Sequence, residues 1–276
     1  MDLNSAAVNQ IIPCFADTII PTLIIHVFGE IVSMLRLILV FLFLFVFLLV
    51  SIPIQLVLWI IGKFNIQAKK HASLAIVNWG FRMVAFLSGV KLTVIGEENV
   101  PKDQAVLYIG NHRSYFDIVL SYARVPRLTG YIAKKEILKV PVLAQWMRNL
   151  DCLFLDREDI RQGLQVILTA IDNVKNGISM CIYPEGTRNS TDVMLPFHKG
   201  SFKIAQKSGR PIVPMTINNS GAIFEDHIPF IKKAHVVLEY GKPIYPNELS
   251  PEDKKTIDDY CYKIIQETYE KNQPLV

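Results

Sequence analysis

A histidine and an aspartate five residues apart, His112 and Asp117, have side chains suited to proton transfer. A neutral imidazole can accept a proton from a hydroxyl near pH 7, and a carboxylate on its other ring nitrogen fixes the tautomer and stabilises the imidazolium that forms. A spacing of five residues is not a helix-face repeat, so a turn must bring Asp117 back to His112. The pair predicts a general base with its orienting group, although a structural contact has the same appearance.

An apolar run at residues 105–110 directly precedes this pair. Its length and composition predict a buried strand. Open α/β sheets bind ligands beyond the carboxyl ends of their strands. We therefore expect His112 and Asp117 to lie at the ligand-binding edge of a sheet.

Two arginines follow other predicted strands. Arg157 ends the strand-like residues 152–156, and Arg188 ends a turn after the strand-like residues 179–183. The segment between these strands has helical apolar spacing at Ile160, Leu164, Ile167, Ile171 and Val174. A strand, a helix and a strand favour parallel pairing, which brings both arginines to one sheet edge. Planar guanidinium groups there can bind phosphate oxygens in pairs.

The turn at residues 183–188 carries several further polar groups. Pro184 and Gly186 are expected to shape it. Glu185 can accept from a substrate hydroxyl or hold Arg188, and Thr187 can donate. An ordinary solvated turn is the alternative when this stretch is considered alone.

Two lysines, Lys134 and Lys135, end the strand-like residues 130–133. Ammonium groups at a strand end can hold a phosphate as mobile point charges. The start of a solvated helix is an equally good interpretation of the same residues.

Four sequence blocks occur in the order and at the spacing of a known family. They are Asn111-His112-Arg113-Ser114-Tyr115-Phe116-Asp117, Leu153-Phe154-Leu155-Asp156-Arg157, Tyr183-Pro184-Glu185-Gly186-Thr187-Arg188 and Ile212-Val213-Pro214-Met215. Over residues 90–220 the chain resembles the glycerolipid acyltransferases, specifically the 1-acyl-sn-glycerol-3-phosphate acyltransferases. It departs from the family pattern at Tyr183, where phenylalanine is usual, and at Asn189, where serine is common.

The resemblance implies acyl transfer from acyl-coenzyme A or acyl carrier protein to the sn-2 hydroxyl of lysophosphatidic acid, giving phosphatidic acid. His112 and Asp117 would be catalytic, and Arg157, Glu185, Gly186, Thr187 and Arg188 would bind the acceptor and its phosphate. Lys134 or Lys135 would add to the phosphate site, and Pro214 would shape the acyl site. No metal or bound cofactor is implied. A donor to the reaction's oxyanion is expected in the backbone near His112.

Other functions fit part of the same pattern. The acceptor could be glycerol-3-phosphate or another lysophospholipid, because the phosphate contacts would be alike. A thioesterase would use water in place of the acceptor, and a catalytically inactive membrane anchor would retain the fold. The intact catalytic pair disfavours the inactive anchor, and the arginines disfavour the thioesterase.

Composition limits the class of protein. The 276 residues are 51% hydrophobic, which indicates membrane association. Residues 1–62 contain three acids and one base, so the remaining chain has 28 basic and 22 acidic residues, net +6. That charge suits phosphate-bearing substrates or an anionic surface, and we find no nucleic-acid-binding module. Scattered cysteines argue against a zinc site and a disulfide framework.

The segment at residues 37–62 has no charged residue and is long enough to cross a bilayer. A break at Pro53 would instead give a re-entrant hairpin. Residues 11–33 are expected to lie at the membrane interface. Residues 72–89 predict a helix that either lies on the membrane or faces the core. Basic residues after the long segment place the catalytic part in the cytoplasm.

The expected architecture is α/β, with a mixed, largely parallel sheet flanked by helices and an N-terminal hydrophobic membrane segment. We divide the chain into a membrane-associating region, residues 1–70, and an acyltransferase domain, residues 71–276.

Overall fold

The computed structural model describes residues 20–189, 191 and 193–276. The helices are α1 (Ile20–Phe64), α2 (Ile66–Leu87), α3 (Tyr115–Tyr122), α4 (Pro141–Asn149), α5 (Ile160–Lys175), α6 (Lys203–Ser208), α7 (Pro251–Lys255) and α8 (Ile257–Asn272). The strands are β1 (Lys91–Ile95), β2 (Leu107–Gly110), β3 (Thr129–Lys134), β4 (Leu153–Leu155), β5 (Ser179–Ile182), β6 (Ile212–Asn218) and β7 (His235–Tyr240). Short 3-10 turns connect several of these elements.

The first two helices form an antiparallel hairpin. The chain reverses at Asn65, whose side chain accepts the Ala68 amide at 3.0 Å and caps α2. Gly80 of α2 lies against the ring of Phe47 in α1, and this small residue lets the helices approach closely. With 45 residues at about 1.5 Å each, α1 is roughly 68 Å long, about twice the bilayer core. It is apolar enough to cross a membrane.

The alternative of a break at Pro53 is not observed, because α1 continues through this residue. The polar residues that interrupt the apolar run bind the rest of the protein instead. Ser51 accepts the Trp146 indole N–H at 2.9 Å, and Gln55 accepts from the side-chain amide of Asn149, also at 2.9 Å. One face of α1 is therefore packed on α4, while most of its other apolar side chains are exposed.

The helix at residues 72–89 faces the core, as one of its two interpretations predicted, and its contact with a membrane stays a prediction. α2 buries Leu74, Val77 and Val84, while Trp79 and Phe86 are exposed on its other side. Of the predicted interfacial segment at residues 11–33, residues 20–33 belong to α1, and residues 11–19 lie outside the described residues. The domain boundary predicted at residue 70 falls within α2.

The described strands form a seven-stranded sheet in the order β1-β7-β6-β2-β5-β3-β4. All neighbouring pairs are parallel except β6 and β7. The carboxyl ends of β2, β3, β4, β5 and β6 consequently lie at one edge, and every predicted site block follows one of these strands or lies within it. The predicted mixed, largely parallel sheet is confirmed.

The core has a layer on each face of the sheet, because successive strand residues point to opposite sides. Val106 and Tyr108 face the layer that includes α1, α2, α3 and α4. Leu107 and Ile109 face the layer that includes α5, α6 and α8. The hairpin and α5 are thus on opposite faces of the sheet.

Two predictions around α5 were wrong. The strands before and after it, β4 and β5, are parallel but do not pair directly, because β3 lies between them. The first apolar residues of the predicted buried face are also exposed: Ile160 by 88% and Leu164 by 60%. Val166, Ala170, Ile171 and Val174 are the buried residues of α5. The first turns of the helix lie against β4, the last strand in the sheet order, where Gln162 donates to the Phe154 carbonyl at 2.7 Å.

Candidate active site

The turn between β2 and α3 brings His112 and Asp117 together as predicted. Nδ1 of His112 lies 2.8 Å from Oδ2 of Asp117. Asp117 is fully buried, and the same oxygen accepts the backbone N–H groups of Arg113 and Ser114 at 2.7 and 2.8 Å. These bonds fix the carboxylate, which in turn leaves Nε2 as the imidazole nitrogen available to a substrate. Nε2 has no hydrogen-bond partner among the described residues.

Ser114 caps α3. Its hydroxyl oxygen accepts the Phe116 amide at 2.9 Å, and Asp117 completes a capping box by accepting the Ser114 amide. Such a cap satisfies amides that the first turn of a helix leaves without intrahelical partners. The hydrogen bonds that start α3 therefore also hold the Asp117 carboxylate beside His112.

The backbone near His112, where an oxyanion donor is expected, has its amides at residues 112–116 already engaged. The His112 amide donates to Glu185 at 2.7 Å, and the Tyr115 amide donates to Glu225 at 2.7 Å. The Arg113 and Ser114 amides donate to the Asp117 carboxylate, and the Phe116 amide donates to the Ser114 hydroxyl oxygen. Each of the five amides already has an acceptor within the protein, and the oxyanion donor near His112 stays a prediction.

Glu185 supports the histidine loop. Its side chain is buried, with Oε1 accepting the His112 amide and Oε2 accepting the Leu195 amide at 2.9 Å. Burial raises the pKa of Glu185, although these two amide bonds oppose the rise. The structure does not show the predicted hold of Glu185 on Arg188, because both carboxylate oxygens bind the backbone. Glu185 instead joins three segments around His112.

Tyr183 lies flat against the imidazole of His112. The two ring centroids are 4.2 Å apart with planes inclined by 14°. The Tyr183 hydroxyl is 3.2 Å from the hydroxyl of Ser121, which donates to the Asp117 carbonyl at 2.5 Å. Burial raises the pKa of Tyr183 well above its ordinary value, so the hydroxyl remains neutral. The Tyr183 hydroxyl therefore adds a polar link through Ser121 to the backbone of Asp117.

Arg188 has two neighbours at the edge of the site. Its Nη1 lies 3.3 Å from Oε1 of Glu225, and its guanidinium carbon is 3.5 Å from the centroid of the Tyr115 ring. The side chain is about a third exposed (35%), which leaves guanidinium N–H groups accessible to an anion. Thr187 beside it is exposed, and Gly186 adopts φ +73° where the chain turns.

The other predicted phosphate ligands lie further along the same edge. Arg157 follows β4, three strands from β2 at about 4.8 Å each. Its guanidinium has no hydrogen bond or ion pair within the described part of the chain, and partial burial lowers its pKa. Lys134 ends β3 and is exposed, whereas Lys135 is paired with Asp156 at 2.6 Å. Arg157 and Lys134 are therefore better placed than Lys135 to bind an anion.

Pro214 is buried in β6, next to β2 in the sheet. Its carbonyl accepts the Gly241 amide at 2.8 Å, and the regular β6–β7 ladder begins at the next residue, Met215. Proline is accommodated here because the ladder between β6 and β7 starts after it. The predicted role in shaping an acyl site stays a prediction.

Sequence reasoning missed Glu225 and Tyr269. Glu225 lies beyond the fourth block in the 3-10 turn Glu225–His227, yet it binds groups from the first and third blocks. Tyr269 of α8 lines a small cavity beside His112 together with Asn111, Glu185 and Asn189. Neither residue belongs to a short motif, and only the folded topology brings them to the site.

Comparisons with known proteins address the family. The acyltransferase family model matches residues 91–218. A probable 1-acyl-sn-glycerol-3-phosphate acyltransferase from Mycoplasma pneumoniae is 32% identical over 206 residues, which cover 68% of this chain and 76% of the relative. The chain belongs to the 1-acyl-sn-glycerol-3-phosphate acyltransferase family. The yeast (Saccharomyces cerevisiae) 1-acyl-sn-glycerol-3-phosphate acyltransferase is 30% identical, over 67% of this acyltransferase and 60% of the yeast protein.

A solved structure supports the same fold. The crystal structure of the 1-acyl-sn-glycerophosphate acyltransferase PlsC from Thermotoga maritima superposes with a TM-score of 0.71. The match covers 87% of this acyltransferase and 97% of the Thermotoga chain at 23% sequence identity. The α/β architecture with its N-terminal helices is therefore one already seen in this family.

Proposed function

We propose that this acyltransferase moves an acyl group from an acyl thioester to the sn-2 hydroxyl of 1-acyl-glycerol-3-phosphate, giving phosphatidic acid. The observation that carries the proposal is the His112–Asp117 pair, with Nδ1 held at 2.8 Å and Nε2 left for the acceptor. The names of the relatives support lysophosphatidic acid as the acceptor.

The proposed reaction is a direct transfer with His112 as general base. Nε2 takes the proton from the acceptor hydroxyl as its oxygen attacks the thioester carbonyl carbon. The new C–O bond forms, the C–S bond of the tetrahedral intermediate breaks, and the leaving thiolate takes the proton from the imidazolium. Asp117 stabilises the imidazolium throughout these steps. The protein needs no bound cofactor for this route, since the acyl donor is a substrate.

The arginines would position the acceptor by its phosphate. Arg188 packs against Tyr115 in the first turn of α3, a few residues after His112, and it retains exposed N–H donors. Arg157 and Lys134 supply further positive charge along the same sheet edge. Binding the phosphate would hold the neighbouring hydroxyl close to Nε2, which lowers the entropic barrier to attack.

We further propose that the catalytic domain faces the cytoplasm, where either acyl donor would be available. Lys63, Lys69 and Lys70 follow the long apolar segment, and only Arg36 precedes it within the hairpin. This asymmetry follows the positive-inside rule. Lys70, near the turn between α1 and α2, also pairs with Asp151 at 2.7 Å, and this ion pair links the turn of the hairpin to the rest of the protein.

The proposal is tested by following free thiol released from acyl-coenzyme A, and in parallel from acyl carrier protein, by the purified protein. We expect release to require lysophosphatidic acid. The Arg188→Ala variant should lose activity with lysophosphatidic acid by about tenfold or more while its activity with 1-monoacylglycerol changes little.

Two outcomes would contradict the proposal. Thiol release at the full rate without any acceptor would indicate a thioesterase. Equal losses in Arg188→Ala with the phosphorylated and unphosphorylated acceptors would remove the phosphate role from this arginine.

A further inference from the structure

Glu225 lies at the edge of the active site although it belongs to none of the four sequence blocks. Its carboxylate is mostly buried (17% exposed) and both oxygens are engaged. Oε2 accepts the Ser114 hydroxyl at 2.6 Å, and Oε1 accepts the Tyr115 amide at 2.7 Å and Arg188 Nη1 at 3.3 Å. One side chain thus joins the start of α3 to the turn that carries Arg188.

The contacts of Arg188 leave it little freedom. Its guanidinium lies over the Tyr115 ring at 3.5 Å while Glu225 binds one edge. Tyr115 is the first residue of α3, and Glu225 accepts its amide, so both contacts are fixed to the same helical turn. That turn also holds Asp117 and hence His112. The position of Arg188 is therefore set relative to the catalytic base.

A guanidinium has five N–H donors, and the described contacts with Glu225 use one of its edges. An arginine loses considerable side-chain entropy when a ligand immobilises it, and holding it beforehand reduces that cost. The negative charge of Glu225 has the opposite effect, because it repels an incoming phosphate. The geometric and electrostatic effects of this carboxylate on acceptor binding therefore have opposite signs, and an experiment can separate them.

We infer that Glu225 is a positioning residue for the acceptor: it holds Arg188 in the orientation that binds the acceptor phosphate, and this effect outweighs its charge repulsion. The inference rests on the proposed function, because it assigns the phosphate to Arg188. Glu225 does not touch the reacting atoms, so its loss should affect acceptor binding more than the chemical step.

Two substitutions separate position from charge. In Glu225→Gln the amide oxygen can still accept from Tyr115 and Arg188, and the NH2 group can donate to the Ser114 hydroxyl. In Glu225→Ala all three bonds are lost. We expect the KM for lysophosphatidic acid to rise about tenfold in Glu225→Ala with kcat changed less than threefold, and to equal or fall below the wild-type value in Glu225→Gln.

A double variant tests whether the effect passes through Arg188. In the Arg188→Ala background, Glu225→Ala should cause no further rise in the acceptor KM. The matched control is Glu97→Ala, which removes another glutamate paired with an arginine, Arg124. Glu97 follows β1, which runs opposite to β2, so this pair lies at the other edge of the sheet. Its loss should leave the acceptor KM unchanged.

A binding measurement extends the test to the case in which no transfer occurs. Titration calorimetry of the full-length protein with sn-glycerol 3-phosphate should give a Kd that is about tenfold weaker for Glu225→Ala and no weaker for Glu225→Gln. A wild-type Kd or KM in Glu225→Ala would overturn the inference. So would a double variant whose acceptor KM rises by the product of the two single effects. Absence of acceptor-dependent transfer in the wild-type protein would instead contradict the proposed function.

Discussion

At the scale of single residues, two buried carboxylates that accept hydrogen bonds determine where His112 is held. Asp117 and Glu185 each bind backbone amides around His112, so the two carboxylates fix both the imidazole and the loop that carries it. The sequence predicted the pairing of His112 with Asp117 because both lie within one short block. It could not predict the acceptor role of Glu185, since the amides that Glu185 binds lie 73 residues before it and 10 residues after it.

The Glu185→Gln variant tests this role. Glutamine keeps one acceptor oxygen but directs an NH2 group at the second amide, which leaves a buried donor unsatisfied at a cost of about 1–3 kcal/mol. We expect a lower melting temperature and a lower kcat, measured by thermal unfolding and thiol release. A wild-type melting temperature together with a raised KM for the acceptor would contradict this support role. It would favour the predicted contact of Glu185 with the substrate.

At the scale of elements, parallel strands bring distant blocks to one edge. The strand pattern and the βαβ argument predicted this common edge, and the sheet confirms it. The insertion of β3 between β4 and β5 was not predictable from adjacent segments, because strand order depends on pairing between residues far apart in sequence. For the same reason the exposure of Ile160 and Leu164 was missed: the periodicity marks an apolar face but not how far the sheet extends beneath it.

The turn after β5 gives a prediction at this scale. Gly186 has φ +73°, and an added Cβ would lie 3.2 Å from the His198 ring. Alanine in this left-handed conformation costs about 1–2 kcal/mol, so Gly186→Ala should melt roughly 2–8 °C lower than the wild-type protein. Gly200→Ala is the matched control, because Gly200 has no atom within 4 Å of an added Cβ. Equal melting temperatures for the two variants would contradict the account of this turn.

At the scale of the whole molecule, an apolar hairpin is packed on a basic catalytic domain. Composition predicted the apolar segment, and the hairpin arose from two features that composition does not reveal. These are the cap at Asn65 and the polar contacts of Ser51 and Gln55 with α4. The remaining apolar side chains of α1 are exposed and available to lipid, which associates the protein with membranes.

Membrane association can be tested on the exposed side of α1. Phe41 and Phe45 are 59% and 62% exposed and lie four residues apart on one helix face. Changing both to aspartate places two charges on this face, at about 3 kcal/mol each near a bilayer centre. We expect vesicle flotation to show much weaker binding than for the wild-type protein.

The matched control changes Ile160 and Leu164 to aspartate, since these exposed residues lie on α5 across the sheet from the hairpin. Its binding to vesicles should equal that of the wild-type protein. A loss of binding of the same size in both double variants would contradict the assignment of the membrane contact to α1.

The central claim is that the protein transfers an acyl chain directly to lysophosphatidic acid with His112 as general base. The most direct measurement supplies isotope-labelled acyl-coenzyme A or labelled acyl carrier protein together with lysophosphatidic acid, and follows the label into lipid by mass spectrometry for the wild-type and His112→Ala proteins. We predict labelled phosphatidic acid from the wild-type protein and a rate at least about a hundredfold lower from a folded His112→Ala variant. Labelled phosphatidic acid at similar rates from both proteins, or none from the wild-type protein with either donor, would contradict the account.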